Sequence, residues 1–333
     1  MTNSAHIAVI GAGIAGLSCA TALQHAGFRV SIFDKSGGPA GRMSTRRGDG
    51  WQCDHGAQYF TARDPDFRAE VGRWEQAGAA AQWYPVMRRF NADGTTSGCG
   101  TTERFVGTPR MTAPAVWLAS SLALRTGLAI GALLREDAGW RLAVDGAGPL
   151  DSRYDAVVPA LPAPQAAALL HGVAPLQAAL AAGARMEGCW AMMLQYSAPL
   201  ALGFDAAFVN RGALRWAARD SAKPGRSGSE TWLLHASAEW SEARIECDAG
   251  SVAALLLAAF AELGGSAPEC WSAHRWRYAS TAQRHNEVCV WDGGQGLGLC
   301  GDWLNGGSVE AAWLSGRALA QRICAGWGAG GMR

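Results

Sequence analysis

The run Gly11-Ala-Gly13-Ile-Ala-Gly16 constrains this chain more than any other feature, because of what flanks it. Before it, His6 to Ile10 is a short β-branched apolar run that reads as a buried parallel strand. After it, Ile14 to Ala26 carries small and apolar residues at helical spacing and stops at Gly27, and Phe28 to Phe33 reads as a second strand. Such a strand–helix–strand unit with tight connections is the context a dinucleotide fingerprint requires. Gly11 would allow the tight turn, Gly13 the close approach of backbone N–H groups to a pyrophosphate, and Gly16 the packing of helix on strand. Ile14 and Ala15 open the helix whose N-terminus would face that anion. Asp34 ends the second strand where a carboxylate can take a ribose hydroxyl, and Lys35 follows it.

A chain of 333 residues is long enough for one large domain or two interleaved ones. Its formal net charge of +1 gives no electrostatic case for nucleic acid or an anionic membrane surface. No basic segment followed by an apolar one opens the sequence, so no signal peptide is expected. The most apolar later stretch, Ser251 to Leu263, is too short to span a bilayer. The nine cysteines are scattered and contain no Cys-x-x-Cys pair, which suits reduced thiols in a cytoplasm rather than a disulfide framework or a metal site.

Which dinucleotide is meant is decided by the next segment, Lys35-Ser-Gly-Gly-Pro-Ala-Gly41-Arg42-Met43-Ser44. A nicotinamide dehydrogenase has no use for glycines and an arginine just beyond the ribose carboxylate. A resident FAD does, because a second small-residue loop and a guanidinium can close over a permanently buried diphosphate. This segment resembles the Gly-Gly-Arg loop of the flavin-containing amine oxidase superfamily, with Ala40 in place of the first glycine; alanine is expected to allow the same close approach. Further on, Asp54-His-Gly56-Ala-Gln58-Tyr59-Phe60-Thr61 resembles a segment of the bacterial renalase-like flavoproteins within that superfamily. Matches continue in order through Gly107-Thr-Pro109-Arg110-Met111, Pro162-Ala-Pro164-Gln165, Trp232-Leu-Leu-His235, His274-Arg-Trp276-Arg277-Tyr278 and Cys300-Gly301-Asp302-Trp303 to Val309-Glu310. Arg110 departs from the glycine expected there.

The resemblance implies an α/β fold: a Rossmann-like FAD-binding domain of the amine oxidase and p-hydroxybenzoate hydroxylase type, with an inserted α+β substrate domain. Expected boundaries are residues 1–62, 106–165 and 285–333 for the FAD-binding domain, and 63–105 with 166–284 for the substrate domain. Strands are expected at Tyr154 to Pro159, Gly188 to Tyr196, Glu230 to Ala236 and Gly296 to Cys300. Helices are expected at Pro164 to His171, Leu176 to Ala184, Ser251 to Leu263 and Val309 to Ala325. The Gly-, Ser- and Asp-rich stretches Asn91 to Thr102 and Arg219 to Ser229 read as flexible surface loops.

For the cofactor, the resemblance implies non-covalent FAD held by Gly11, Gly13, Ile14, Ala15, Gly16, Asp34, Lys35, Gly41, Arg42, Met43, Gln58, Tyr59, Phe60, Gly301, Asp302, Val309 and Glu310. Asp302 would bond the ribityl chain, and the helix that follows would point its N-terminus at the pyrimidine edge. On a strand, His274, Trp276 and Tyr278 share one face and Arg275 and Arg277 the other. With Tyr59 they are the expected catalytic wall, with Arg277 or Arg110 as candidates for a substrate diphosphate. His55 and His235 read as structural histidines, and Cys300 as a core thiol. The implied activity is oxidation of 2- or 6-dihydro-NAD(P) with O2 as acceptor. The alternatives are an amine oxidase, a carotenoid- or porphyrin-type desaturase, and a flavin-loaded protein without catalysis.

Overall fold

The computed structural model describes residues 5–137, 139–283 and 287–329. The expected domain boundary at 284/285 lies outside the described residues. The N-terminal unit forms as the apolar pattern demands: strand β1 (His6–Ile10), helix α1 (Ile14–His25) and strand β2 (Arg29–Phe33), with β1 buried along its whole length. β1 is the centre of a six-stranded sheet. Beside it lie β2 and Ala123–Arg125 on one side, and Ala156–Pro159, Leu297–Leu299 and Val290–Asp292 on the other. All its pairings are parallel except the last. Strands from the start, middle and end of the chain thus meet in one sheet.

The long C-terminal helix Val309–Ala329 packs across α1 at close range. Small residues make this possible: a Cβ on Gly316 would stand 2.2 Å from the carbonyl oxygen of Ala15, and the Ser18 hydroxyl donates to the Trp313 carbonyl at 2.8 Å. The helix runs further than the expected Val309 to Ala325, and a short helical turn, Asp302–Asn305, precedes it. An antiparallel three-stranded meander over 130–154 caps the sheet; its alternating strands were not anticipated.

The second unit is a seven-stranded sheet in the order Cys270–Thr281, Met186–Tyr196, Glu230–Ala236, Leu214–Arg219, Ala206–Val209, Met87–Phe90 and Thr96–Gly98. Helix Ala249–Ala261 covers one face through Val252, Leu256 and Phe260. The other face turns toward the hairpin β3 (Thr45–Gly48) and β4 (Trp51–Asp54) and toward the first sheet. The expected helices and strands are present within a few residues of their predicted ends.

One expectation fails outright. Arg219 to Ser229 is no flexible surface loop: Asp220, Lys223 and Arg226 have fully buried side chains. Together with Asp54 they form an internal cluster of two anions and two cations. The Lys223 ammonium donates to Asp54 Oδ2 at 3.2 Å, to Asp220 Oδ1 at 2.7 Å and to Gln58 Oε1 at 3.2 Å, and Arg226 bonds Asp54. The composition of the segment suggests solvation, whereas its charges are partnered from a distant strand.

Candidate active site

Two loops build the dinucleotide cradle. Gly11 holds φ at +107°, and a Cβ there would stand 2.5 Å from the carbonyl oxygen of Ala160, so only glycine fits the turn. A Cβ on Gly16 would fall 2.0 Å from the carbonyl oxygen of Gly11. Gly13, by contrast, faces open space, the room a pyrophosphate would need at the start of α1. Asp34 ties this loop together: Oδ2 accepts from the Ala12 amide at 2.7 Å and Oδ1 from the Ser36 amide at 2.8 Å. The second loop folds back on the first, with the Ala40 amide donating to the Ala12 carbonyl at 3.0 Å. Ala40 is not a free substitute for glycine, however. Its φ of +123° is a conformation that a Cβ disfavours, so the alanine carries strain that the expected glycine would not.

Arg42 and Asp302, expected to hold different parts of the cofactor, are paired with each other; Nη1 donates to Asp302 Oδ2 at 2.9 Å and to the Ala279 carbonyl at 3.3 Å. Met43 is buried. Glu310, in the first turn of the C-terminal helix, accepts from the amides of Arg63 and Asp64 at 2.6 and 2.7 Å. Phe60 stacks on Phe105 at 5.9 Å, with most of its ring in the core.

From the glycine loop a single cavity of about 1360 Å³ runs to the face of the seven-stranded sheet. Ile14, Ala15, Lys35, Gly41, Gln58, Gly301 and Val309 all border it. Its far wall is set by strand register. Phe208, Trp216, His235, Ala191 and His274 stand in one row across five strands, so their side chains share a face. His55 and Trp276 complete the wall: their rings stack at 5.2 Å and 22°, and His274 meets Trp276 edge-on at 4.4 Å. The His55 carbonyl accepts from Trp276 Nε1 at 2.9 Å and engages His235 Nε2 at 3.1 Å, which fixes both rings at once. Tyr59 leans on Trp216 at 5.6 Å.

The structure brings Tyr59, His274, Trp276 and Tyr278 to this cavity. Arg275 also borders the cavity, but its guanidinium turns away from the His274 and Trp276 rings and lies over Trp190. The alternation then breaks, because the register shifts between Glu187 and Cys189 and Arg277, Tyr278 and Ala279 crowd opposite Gly188. Neither arginine expected to meet a diphosphate is free: Arg277 is paired with Glu246, and Arg110 Nε donates to Gln52 Oε1 at 3.0 Å. Sequence reasoning missed Trp216, Phe208 and Arg215, and set His55 and His235 aside; only the pairing register places these on the wall.

The wall's histidines are neutral. Burial, with His274 and Arg46 adding to it, pushes His55 down to about 3. Burial takes His235 to about 4 against the effect of its bond to the His55 carbonyl, and burial then Arg46 lower His274. Gln58 borders the cavity while held from behind by Lys223 and by the Asp54 carbonyl, to which its Nε2 donates at 2.7 Å.

Residues 9–73 match the family of NAD(P)-binding Rossmann-like domains. Over its whole length the chain superposes on putrescine oxidase bound to putrescine, with a TM-score of 0.75, 14% identity, and 97% of this chain and 99% of that one covered. It superposes equally fully on cyclohexylamine oxidase from Brevibacterium oxydans IH-35A, with a TM-score of 0.73, 12% identity and the same coverage. The chain has the amine oxidase fold. A protein assigned as a protoporphyrinogen oxidase from Exiguobacterium sp. 255-15 shares that amine oxidase fold at a TM-score of 0.79 and 12% identity, over 98% of this chain and 99% of that one. Sequence similarity is local. An L-amino-acid oxidase of Siganus canaliculatus is 39% identical over 70 residues, 20% of this chain and 13% of that protein. The zeta-carotene-forming phytoene desaturase of Myxococcus xanthus is 44% identical over 55 residues, 16% of this chain and 11% of that protein. The chain therefore spans about an eighth or less of these two relatives. An amine oxidase fold built on a dinucleotide-binding segment bears out the expectation of FAD. Among the described residues no helix is long and apolar enough to cross a membrane, and no group of three His, Cys, Asp or Glu side chains could hold a metal ion.

Proposed function

We propose that this chain is an FAD-dependent oxidase of 2- or 6-dihydronicotinamide dinucleotides, returning them to NAD(P)+. In this reading residues 1–62, 106–165 and 285–333 form the FAD-binding domain, and residues 63–105 with 166–284 form the substrate domain. Bound FAD would supply the hydride acceptor, N5 of its ring, and the route by which two electrons reach O2 to give H2O2. The cradle residues Gly13, Asp34, Arg42 and Asp302 would hold it, with Arg42 and Asp302 exchanging part of their mutual pairing for its polar groups.

The carrying observation is the character of the far wall: flat rings, three neutral imidazoles, Arg215, and no carboxylate. A dihydronicotinamide ring is planar and uncharged, and its own ring nitrogen drives the hydride out, so no strong base is demanded of the protein. The wall's task is to stack that ring and hold it at attack distance while excluding water. Tyr59, Trp216, His274 and Trp276 supply the surfaces. An amine substrate reaches an enzyme largely as an ammonium ion, which a wall of imidazoles beside an unpaired guanidinium does not favour.

Anaerobic mixing of the purified yellow holoenzyme with 2-dihydro-NAD, 6-dihydro-NAD, ordinary NADH, primary amines and L-amino acids tests this reading. Rapid bleaching of the flavin by a 2- or 6-dihydro isomer alone is the expected result. Bleaching by an amine or an amino acid instead would replace it with an amine oxidase reading. Bleaching by dithionite only would leave a flavin-binding protein without this catalysis.

A further inference from the structure

Four arginines line the cavity, and three of them are paired: Arg42 with Asp302, and Arg275 and Arg277 with Glu246. The fourth, Arg215, is exposed, and its guanidinium makes no hydrogen bond or ion pair among the described residues. Its position is not that of an ordinary surface residue. On strand Leu214–Arg219, Leu214 pairs with Ala236 and Trp216 with His235, so Arg215 is the extra residue of a β-bulge. Leu214 packs into the core beneath helix Ala249–Ala261, and Trp216 belongs to the core on the opposite face. The bulge lets two consecutive residues, Arg215 and Trp216, both reach the cavity, which a regular strand would forbid. Arg215 stands near enough to His235 and Cys189 for its charge to act on both.

We infer that Arg215 is the specificity residue for an anionic tail on the substrate, taking an oxygen pair of the dinucleotide's diphosphate while the ring lies on the His–Trp wall. A guanidinium presents two parallel N–H donors to such an oxyanion, and this one faces an open cavity with no carboxylate to release first. The inference rests on the dihydronicotinamide reading above for the identity of the tail, but not for its charge.

Two measurements on the holoenzyme separate the failure of one from the failure of the other. The first compares 6-dihydro-NAD with the phosphate-free 6-dihydronicotinamide riboside in wild type, Arg215→Met and Arg215→Lys. Arg215→Met is expected to raise KM for the dinucleotide at least about tenfold with kcat little changed, the loss being confined to the substrate that carries phosphate. Arg215→Lys should recover part of it. An equal loss on both substrates, or no loss on either, would overturn the inference. The second measurement titrates ADP-ribose, which carries the diphosphate without a nicotinamide, and follows tryptophan fluorescence. Weaker binding to Arg215→Met than to wild type supports the anion role even if no dihydronicotinamide is turned over. Equal or absent binding to both proteins refutes it.

Discussion

Replacing Lys223 by methionine tests whether the buried charge cluster holds the two units together. The substitution keeps the aliphatic stem and deletes a fully buried ammonium that lies 3.2 Å from Asp54 and 2.7 Å from Asp220. Two buried carboxylates would then face Arg226 alone. Removing one partner from a buried ion pair costs about 3–5 kcal/mol, because the remaining charge is left uncompensated. Unfolding entropy of about 2.1 cal/mol/K per residue gives about 0.7 kcal/mol/K for this chain, so the melting temperature should fall by about 4–7 °C. Asp220 sets the pH dependence. Burial first, and then the Asp54 charge, already raise its carboxyl to about 6, so it is the member that protonates when Lys223 is gone. Asp54 stays ionised: in the wild type Lys223, Arg226 and the Thr45 hydroxyl hold it well below the usual range against its burial, and the variant keeps the last two. Loss of Lys223 lifts the Asp220 carboxyl further above its wild-type value of about 6, so the deficit grows as pH rises through that higher value and shrinks toward pH 6 as Asp220 takes a proton. The double variant Lys223→Met/Asp220→Asn leaves a balanced Asp54–Arg226 pair and should recover part of the loss, a coupling of about 1–3 kcal/mol in a double-mutant cycle. Differential scanning calorimetry at pH 7.5 and pH 5.5 measures the four proteins of the cycle: wild type, Lys223→Met, Asp220→Asn and the double variant. A loss below about 2 °C in the single variant, or additive losses in the double one, would refute the reasoning.

Ala40→Gly should stabilise the protein by about 1 kcal/mol, because glycine adopts the +123° φ without strain; an unchanged or lower denaturant midpoint would contradict this. Gly16→Ala places a Cβ 2.0 Å from the Gly11 carbonyl oxygen and should yield protein purified without its flavin absorbance, whereas full retention of colour would mean the strand–helix crossing can widen. Acidification should destabilise the fold between pH 6.5 and about 4. His55 and His235 take protons near 6.5 when unfolded but only near 3 and 4 when folded, while Asp220, raised to about 6, opposes them with one proton. The net uptake of about one proton on unfolding corresponds to a slope of about 1.4 kcal/mol per pH unit, and equal urea midpoints at pH 7 and pH 5 would rule it out.

The cofactor half of the molecule was legible in the sequence because its constraints are local. Gly16 answers a contact within its own strand–helix turn, Gly13 leaves that turn open, and Asp34 bonds the Ala12 amide of the same glycine loop and the Ser36 amide just beyond β2; only the Gly11 contact with Ala160 comes from a distant part of the chain. The far wall was legible only in part: Tyr59 and the segment His274 to Tyr278 stood out, whereas Phe208, Trp216 and His235 did not, for a reason that can be stated in register terms. His235 and His274 share a face only because each lies opposite Ala191 on the strand between them, and no spacing within either segment records that partnership. Bulges remove even the alternation that one strand provides: they carry Arg215 onto the cavity face and displace Tyr278 from the plain sequence of His274 and Trp276. The charge cluster hid for the opposite reason. Residues 219–229 carry the composition of a solvated loop, and only the depth of Asp54 at the end of β4 turns those charges into internal partners. The same residue links the two halves functionally. Asp54 fixes Lys223, Lys223 holds the Gln58 carboxamide, and Gln58 precedes Tyr59 on the stretch that passes between cradle and wall. Substitutions in the cluster should thus be felt at the cavity as well as in stability, although none of the cluster's charged side chains lines it.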